Sequence, residues 1–123
     1  MAAPNIVNVT TIIGKTVGKA LTASLLDIVT NSAASNKVFK INSIIVSNVH
    51  GTNNAEVNVV FYDSSEGGGT NFYLAKTIIV PADSSLVVIS KDANIYLEEG
   101  DIVRAQTTAT SLLEIVVSYE EIS

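Results

Sequence analysis

The sequence predicts an all-β fold, a two-sheet antiparallel β-sandwich of jelly-roll-like type with about eight or nine strands. Three observations carry that expectation. Val and Ile contribute 30 residues against 8 Leu, and Ser, Thr and Asn another 35, a composition suited to pleated sheet and its turns. Apolar and polar residues alternate with period two in several segments. Turn-forming clusters recur at short spacing. At 123 residues the chain fits one domain, large enough to bury a core without disulfides or a structural metal.

Breaks fall at "HGTNN" (50–54), "SSEGGGTN" (64–71), "PADSS" (81–85), "KDAN" (91–94) and "EEGD" (98–101). Residues 5–13 read as a first strand, with Gly14 and Gly18 around "KTV" turning the chain after it. Residues 1–20 are therefore expected to be an N-terminal arm or edge strand, and 21–123 the sandwich domain. A second strand is expected over 22–30 and a third over 37–49, where "INSIIVSNV" is apolar on both faces. Over 55–63, "AEVNVVFYD" alternates, with Val57, Val59 and Phe61 inward and Glu56, Asn58 and Tyr62 outward. The strands at 71–80 and 85–90 share "TIIVPADSSLVVIS", again apolar on both faces. Short strands at 94–97 and 101–108 flank "EEGD". The last, 111–121, alternates most clearly: Leu113, Ile115, Val117 and Tyr119 oppose Glu114, Ser118 and Glu120. Antiparallel sheets normally leave one face polar, so double-sided apolar segments imply central strands or a face covered by another subunit. Homo-oligomerisation is expected.

Charged residues make up 15% of the chain, against roughly 25% in an ordinary domain, and the net charge is -5. Its seven Lys and Arg are scattered, so no basic run can neutralise several phosphates, which excludes nucleic acid as an expected partner. With no cysteine, neither disulfides nor thiolate metal sites can form. Apolar runs are far shorter than the ~20 residues of a membrane helix, so no membrane partner is expected. The N-terminus has neither the basic nor the apolar region of a signal peptide, and synthesis in a cytoplasm follows as the expectation.

No motif brings a chemistry with it. Gly14-Lys15-Thr16 has Val9 where a phosphate loop needs its first glycine, and no helix is expected after it. His50 is the single histidine and lies in a loop, which rules out two-histidine metal motifs; no serine has a nucleophile-elbow context. "SSEGGGTN" reads as a hairpin tip. Tyr62, Phe72 and Tyr73 beside it read as cross-strand packing without basic companions. In "IYLEEGDIVRAQ", Glu98, Glu99 and Asp101 crowd around Gly100. Neighbouring carboxylates cannot form facing walls of a cleft, so the stretch reads as a solvent-exposed turn, with Gly100 at positive φ and Asp101 bonded to local backbone. No residue is assigned to catalysis, to a cofactor or to a metal, and the chain is expected not to be an enzyme.

Three segments, "MAAPNIVNVTTIIGKT", "LVVISKDANIYLEEGD" and "LLEIVVSYEEIS", resemble small virion structural proteins of tailed bacteriophages, particularly T4-like phages of marine cyanobacteria. The resemblance implies a β-sandwich component of the virion, partnered by other phage structural proteins of capsid or tail, and carries over no functional residue. A capsid decoration or cement protein that reinforces the particle is the expected function. The alternative it leaves open is a neck, tail or tail-fibre component, acting as a receptor- or glycan-binding module through loops 50–54 and 64–71 with Tyr62 and Tyr73. The absence of Cys and the single Met leave little to oxidise in a particle that persists outside the cell.

Overall fold

The computed structural model describes residues 10–65, 68–108 and 112–123. Residues 1–9, most of the expected first strand, lie outside them, as do Glu66 and Gly67 of the glycine-rich tip and residues 109–111. Nine strands form among the described residues: β1 (Ile12–Ala20), β2 (Leu26–Thr30), β3 (Val38–Asn48), β4 (Ala55–Asp63), β5 (Thr70–Val80), β6 (Ser85–Ile89), β7 (Ile95–Leu97), β8 (Ile102–Thr107) and β9 (Leu113–Ile122). Every pairing is antiparallel.

One sheet has the order β1-β9-β3-β6, with β7 also pairing with β3; the other has the order β2-β8-β4-β5. Only the β4–β5 hairpin and the β6–β7 step stay within a sheet, so the chain winds back and forth across the core as a jelly roll. β6 and β7 pair with successive parts of β3 and act as one edge strand, broken by a 3-10 turn at Lys91–Ala93. The core lies between the sheets, built from Ile41, Ile44 and Val46 of β3, Val57 and Val59 of β4, and Leu113, Ile115 and Val117 of β9, with Val103 and Ala105 of β8. These are the inward positions that the period-two pattern selects on β4 and β9.

From β3 onward the strands fall within about two residues of the expected bounds, because each break holds turn chemistry that ends a ladder. The first two differ. β2 starts at Leu26 rather than 22, since Ser24 N–H bonds the Thr22 hydroxyl and turns the chain there. The turn expected at Gly14 and Gly18 is a strand instead: both glycines lie inside β1, which pairs with β9 over nine successive residues without a register shift. β1 is the edge of its sheet. The segment apolar on both faces at 37–49 is central, between β9 and β6–β7, whereas that at 71–90 forms two edge strands, β5 and β6, facing each other across the sandwich.

Candidate functional site

β7 and β8 belong to different sheets, and Glu98–Asp101 carries the chain between them. Gly100 has φ +92, and Asp101 N–H donates to the Glu98 carbonyl at 3.0 Å while Glu98 N–H donates to Asp101 Oδ2 at 3.0 Å. The turn is the one expected. Its solvation is not: Glu99 is 0% and Asp101 1% exposed. Asp101 Oδ1 accepts the N–H groups of Ser64 and Ser65, both at 3.0 Å, and Oδ2 accepts the Ser65 hydroxyl at 3.1 Å. Glu99 Oε2 accepts Asn36 N–H at 2.6 Å. Asn36 itself sits at φ 58, in the left-handed region that aims its N–H inward.

Buried Asn31 completes the cluster. Its Nδ2 donates to the carbonyls of Lys37 and Leu97, both at 2.9 Å, and its own carbonyl accepts Gly100 N–H at 2.6 Å. Three connections, β2–β3, β4–β5 and β7–β8, are thus pinned together at one end of the sandwich. The Asp101 oxygens are occupied by donors of the chain itself; Glu99 Oε1 is buried without a hydrogen bond. Among the described residues no three His, Cys, Asp or Glu side chains converge as metal ligands. Two shallow depressions, of about 230 and 270 Å³, lie elsewhere, beside Gly18 and Val116 and beside Asn54 and Thr108. The arrangement ties backbone, and its carboxylates line no cleft.

The opposite end has its own buried asparagine. Asn48 Nδ2 donates to the carbonyls of Asn53 and Val80, and its Oδ1 accepts His50 N–H at 2.9 Å. His50 Nδ1 accepts the N–H groups of Thr52 and Asn53 at 3.1 and 3.0 Å, so the histidine folds its own loop. Loops 50–54 and 64–71 stand at the two ends of the nine-residue β4, about 30 Å apart. They do not form one recognition site, contrary to the expectation that grouped them with Tyr62 and Tyr73. Nor do those tyrosines lack basic companions: the Arg104 guanidinium lies 4.1 Å from the Tyr62 ring centroid and Lys76 Nζ 5.0 Å from that of Tyr73. Arg104 sits opposite Val60 on the neighbouring strand, and Tyr73 and Lys76 share a face because β5 bulges between them. Neither signal is readable from spacing in one strand.

Glu121, near the end of β9, receives Lys15 of β1 at 2.9 Å and Lys37 at 3.1 Å. Burial pushes its carboxyl upward, but the hydrogen bonds and charges of the two lysines outweigh that and hold it below the ordinary 4.5. The hydrogen bond to Glu121 and its charge likewise raise Lys15 above 10.5. Sequence reasoning did not single out this triad, whose members are far apart in the chain.

The exterior is notable for what it leaves uncovered. Phe72 and Tyr73 are both 50% exposed, Ile78 40%, and Ile79 and Val87 57% each, all on the edge strands β5 and β6. By register Phe72 and Ile78 face inward at the open side, opposite Phe61 and Val57, whereas Ile79 and Val87, opposite Glu56 and Ile45, point to the two outer faces.

Neither a family model nor a curated protein matches the chain. Among solved structures it is similar to one from Bacillus endospore appendages, which are described as forming "a novel family of disulfide-linked pili". The TM-score is 0.53 at 21% identity, over 92% of this chain and 88% of the other. At that identity the likeness bears on the sandwich fold.

Proposed function

We propose that this chain is a non-enzymatic structural subunit that works by associating with copies of itself and with other proteins in a larger particle. The observation that carries this reading is the pair of edge strands that display Phe72, Tyr73, Ile78, Ile79 and Val87 to solvent. The buried carboxylates, in contrast, serve as acceptors for the chain's own N–H groups. Burial of such apolar side chains contributes about 25 cal/mol per Å², which is the driving force of most protein association.

We take that particle to be a tailed-phage virion, with the chain decorating and reinforcing the capsid, on the strength of the three segments that resemble phage structural proteins. The similar structure from Bacillus endospore appendages also belongs to an assembly, one of disulfide-linked pili. With no cysteine, this chain would have to assemble without such links. A receptor- or glycan-binding role has less support, because its two loops lie at opposite ends of β4.

Gradient-purified phage particles provide the test. The chain should be present in many copies per particle, and particles lacking it should lose integrity at lower temperature. Recovery of the chain only in the soluble lysate would overturn the reading, and labelling confined to the tail would overturn the capsid placement.

A further inference from the structure

Two edges of the sandwich are poor templates for a further strand. β1 carries Lys15 and Lys19 inward on either side of Val17, where Lys19 Nζ donates to the Asp27 carbonyl of β2 at 2.8 Å and Lys15 reaches Glu121. Inward-pointing charges on an edge keep other chains from adding to a sheet. The register of β5 with β4 shifts twice, and Thr77, at φ 49, spends its N–H on Asn58 Oδ1 at 2.7 Å. The outer face of the β2-β8-β4-β5 sheet, in contrast, holds side chains in fixed positions with donors to spare.

Val60 lies at the centre of that face. By alternation it points away from the core and is not part of the core cluster, yet it is 1% exposed. Its cross-strand partners are Arg104 on β8 and Tyr73 on β5, and Tyr62, two residues along β4, is the diagonal neighbour of both. Arg104 is held from two directions: its guanidinium lies 4.1 Å from the centre of the Tyr62 ring, and its Nε donates to Asp27 Oδ1 at 2.7 Å. Tyr62 is itself braced, since a Cβ at Gly69 would sit 3.0 Å from its hydroxyl. Among the described residues Nε is the one guanidinium nitrogen with an acceptor, so the two terminal nitrogens keep their N–H donors for a ligand. The Tyr73 ring is half-exposed, and Lys76 Nζ, 5.0 Å from its centre, forms no ion pair among the described residues.

A guanidinium fixed in place with free N–H groups matches a carboxylate bidentately, which a lysine cannot do. Tyr73 stands two strands from Arg104, about 10 Å across the sheet, and offers an apolar ring face with a polar tip. Asn71, opposite Tyr62, and Asn58 with Gln106, joined at 3.4 Å, add amides to the same face. Arg104 and Lys76 outweigh Asp27 here, on a chain whose net charge is -5. Cations, ring face and amides together fit a sugar that carries carboxylates: its C–H face packs on the tyrosine, its hydroxyls bond the amides and its acid group meets the guanidinium. An acidic peptide would use the charges and leave the ring idle.

We propose that this outer face is a binding site for an acidic saccharide, with Arg104 and Lys76 meeting its carboxylates and Tyr73 stacking on a sugar ring. Asp27, Tyr62 and Gly69 position those groups. The site goes beyond the structural role and does not depend on which particle the chain joins. It uses the face of a sheet, so the separation of loops 50–54 and 64–71 does not bear on it.

Titration calorimetry of the full chain against three polymers tests this: polygalacturonate, with a carboxylate on each ring; dextran, with rings and no charge; and poly-glutamate, with charge and no sugar rings. Wild type should bind polygalacturonate at least about tenfold more tightly than either of the others, and less tightly as salt rises. Tyr73→Ala, and Arg104→Lys, which keeps the charge but loses the fork, should each weaken binding by about tenfold. Tyr96→Ala, at an exposed tyrosine on the outer face of the other sheet, should leave it unchanged. Thermal melts confirm that each variant is folded. No binding to polygalacturonate, or an affinity that neither Tyr73→Ala nor Arg104→Lys moves, would overturn the site. Equal binding of poly-glutamate would overturn the saccharide in favour of an acidic peptide, and equal binding of dextran would overturn recognition of the carboxylates.

Discussion

Four donors converge on the Asp101 carboxylate, and three are backbone N–H groups, those of Ser64, Ser65 and Glu98, beyond the ends of their strands. Buried donors left without an acceptor cost about 1–3 kcal/mol each. Asp101→Ala should therefore destabilise the fold by about 3 kcal/mol or more, and Asp101→Asn, which keeps one acceptor, by less, both measured by urea unfolding. Gly100→Val should cost about 3 kcal/mol, because φ +92 excludes a branched side chain and a Cβ there would sit 3.2 Å from Ser64 Oγ. Gly14→Ala, whose Cβ meets nothing within 4 Å, should be neutral to slightly stabilising. The turn at "EEGD" was legible in the sequence because it depends on a glycine and a local Asp. The burial of its carboxylates was not, since their partners Asn36, Ser64 and Ser65 lie 63, 37 and 36 positions away. Glu121 gives a pH dependence with a definite sign. Its folded carboxyl lies below 4.5, so the stabilisation is present above the unfolded value and is lost as pH falls through the folded one. Glu121→Gln should flatten the acid limb of stability against pH, and in wild type the amides of β1 should lose exchange protection in acid before those of β3.

At the level of strands, the bulges of β5 and the inward lysines of β1 show two ways of treating an edge. β5 is twisted away from further pairing and left apolar, while β1 is regular and guarded by charge. Thr77 is a β-branched residue at φ 49, a conformation that costs on the order of 1 kcal/mol. Thr77→Asn should raise the melting temperature by a few degrees, since Asn tolerates that region and keeps the N–H bond to Asn58. Strand positions from 37 onward were readable because alternation and turn residues agree there. β1 was not, because Gly14 and Gly18 argue locally for a turn, and only the ladder to β9, more than ninety residues away in the chain, overrides them. Central and edge strands that are apolar on both faces look alike in sequence; β3 and β5 are separated only by which neighbours they acquire.

For the molecule as a whole, six of the eight strand connections among the described residues cross between the sheets, so neither sheet can form without the other. Unfolding should be a single cooperative transition, with coincident fluorescence and circular-dichroism curves, and refolding should be slow, in the millisecond-to-second range of domains built on non-local pairing. The fold class followed from composition and periodicity, but strand order did not, because it depends on pairings between distant segments. One pairing of that kind has a further consequence. Thr10 N–H donates to the Ser123 carbonyl at 2.8 Å, and Ile12 lies opposite Ile122, so the first described strand and the last close on each other. From Thr10 to Ser123 the backbone therefore nearly closes on itself, and a circularly permuted chain of those residues, opened at Gly51–Thr52 with Ser123 joined to Thr10 by a short linker, should rebuild the same sandwich.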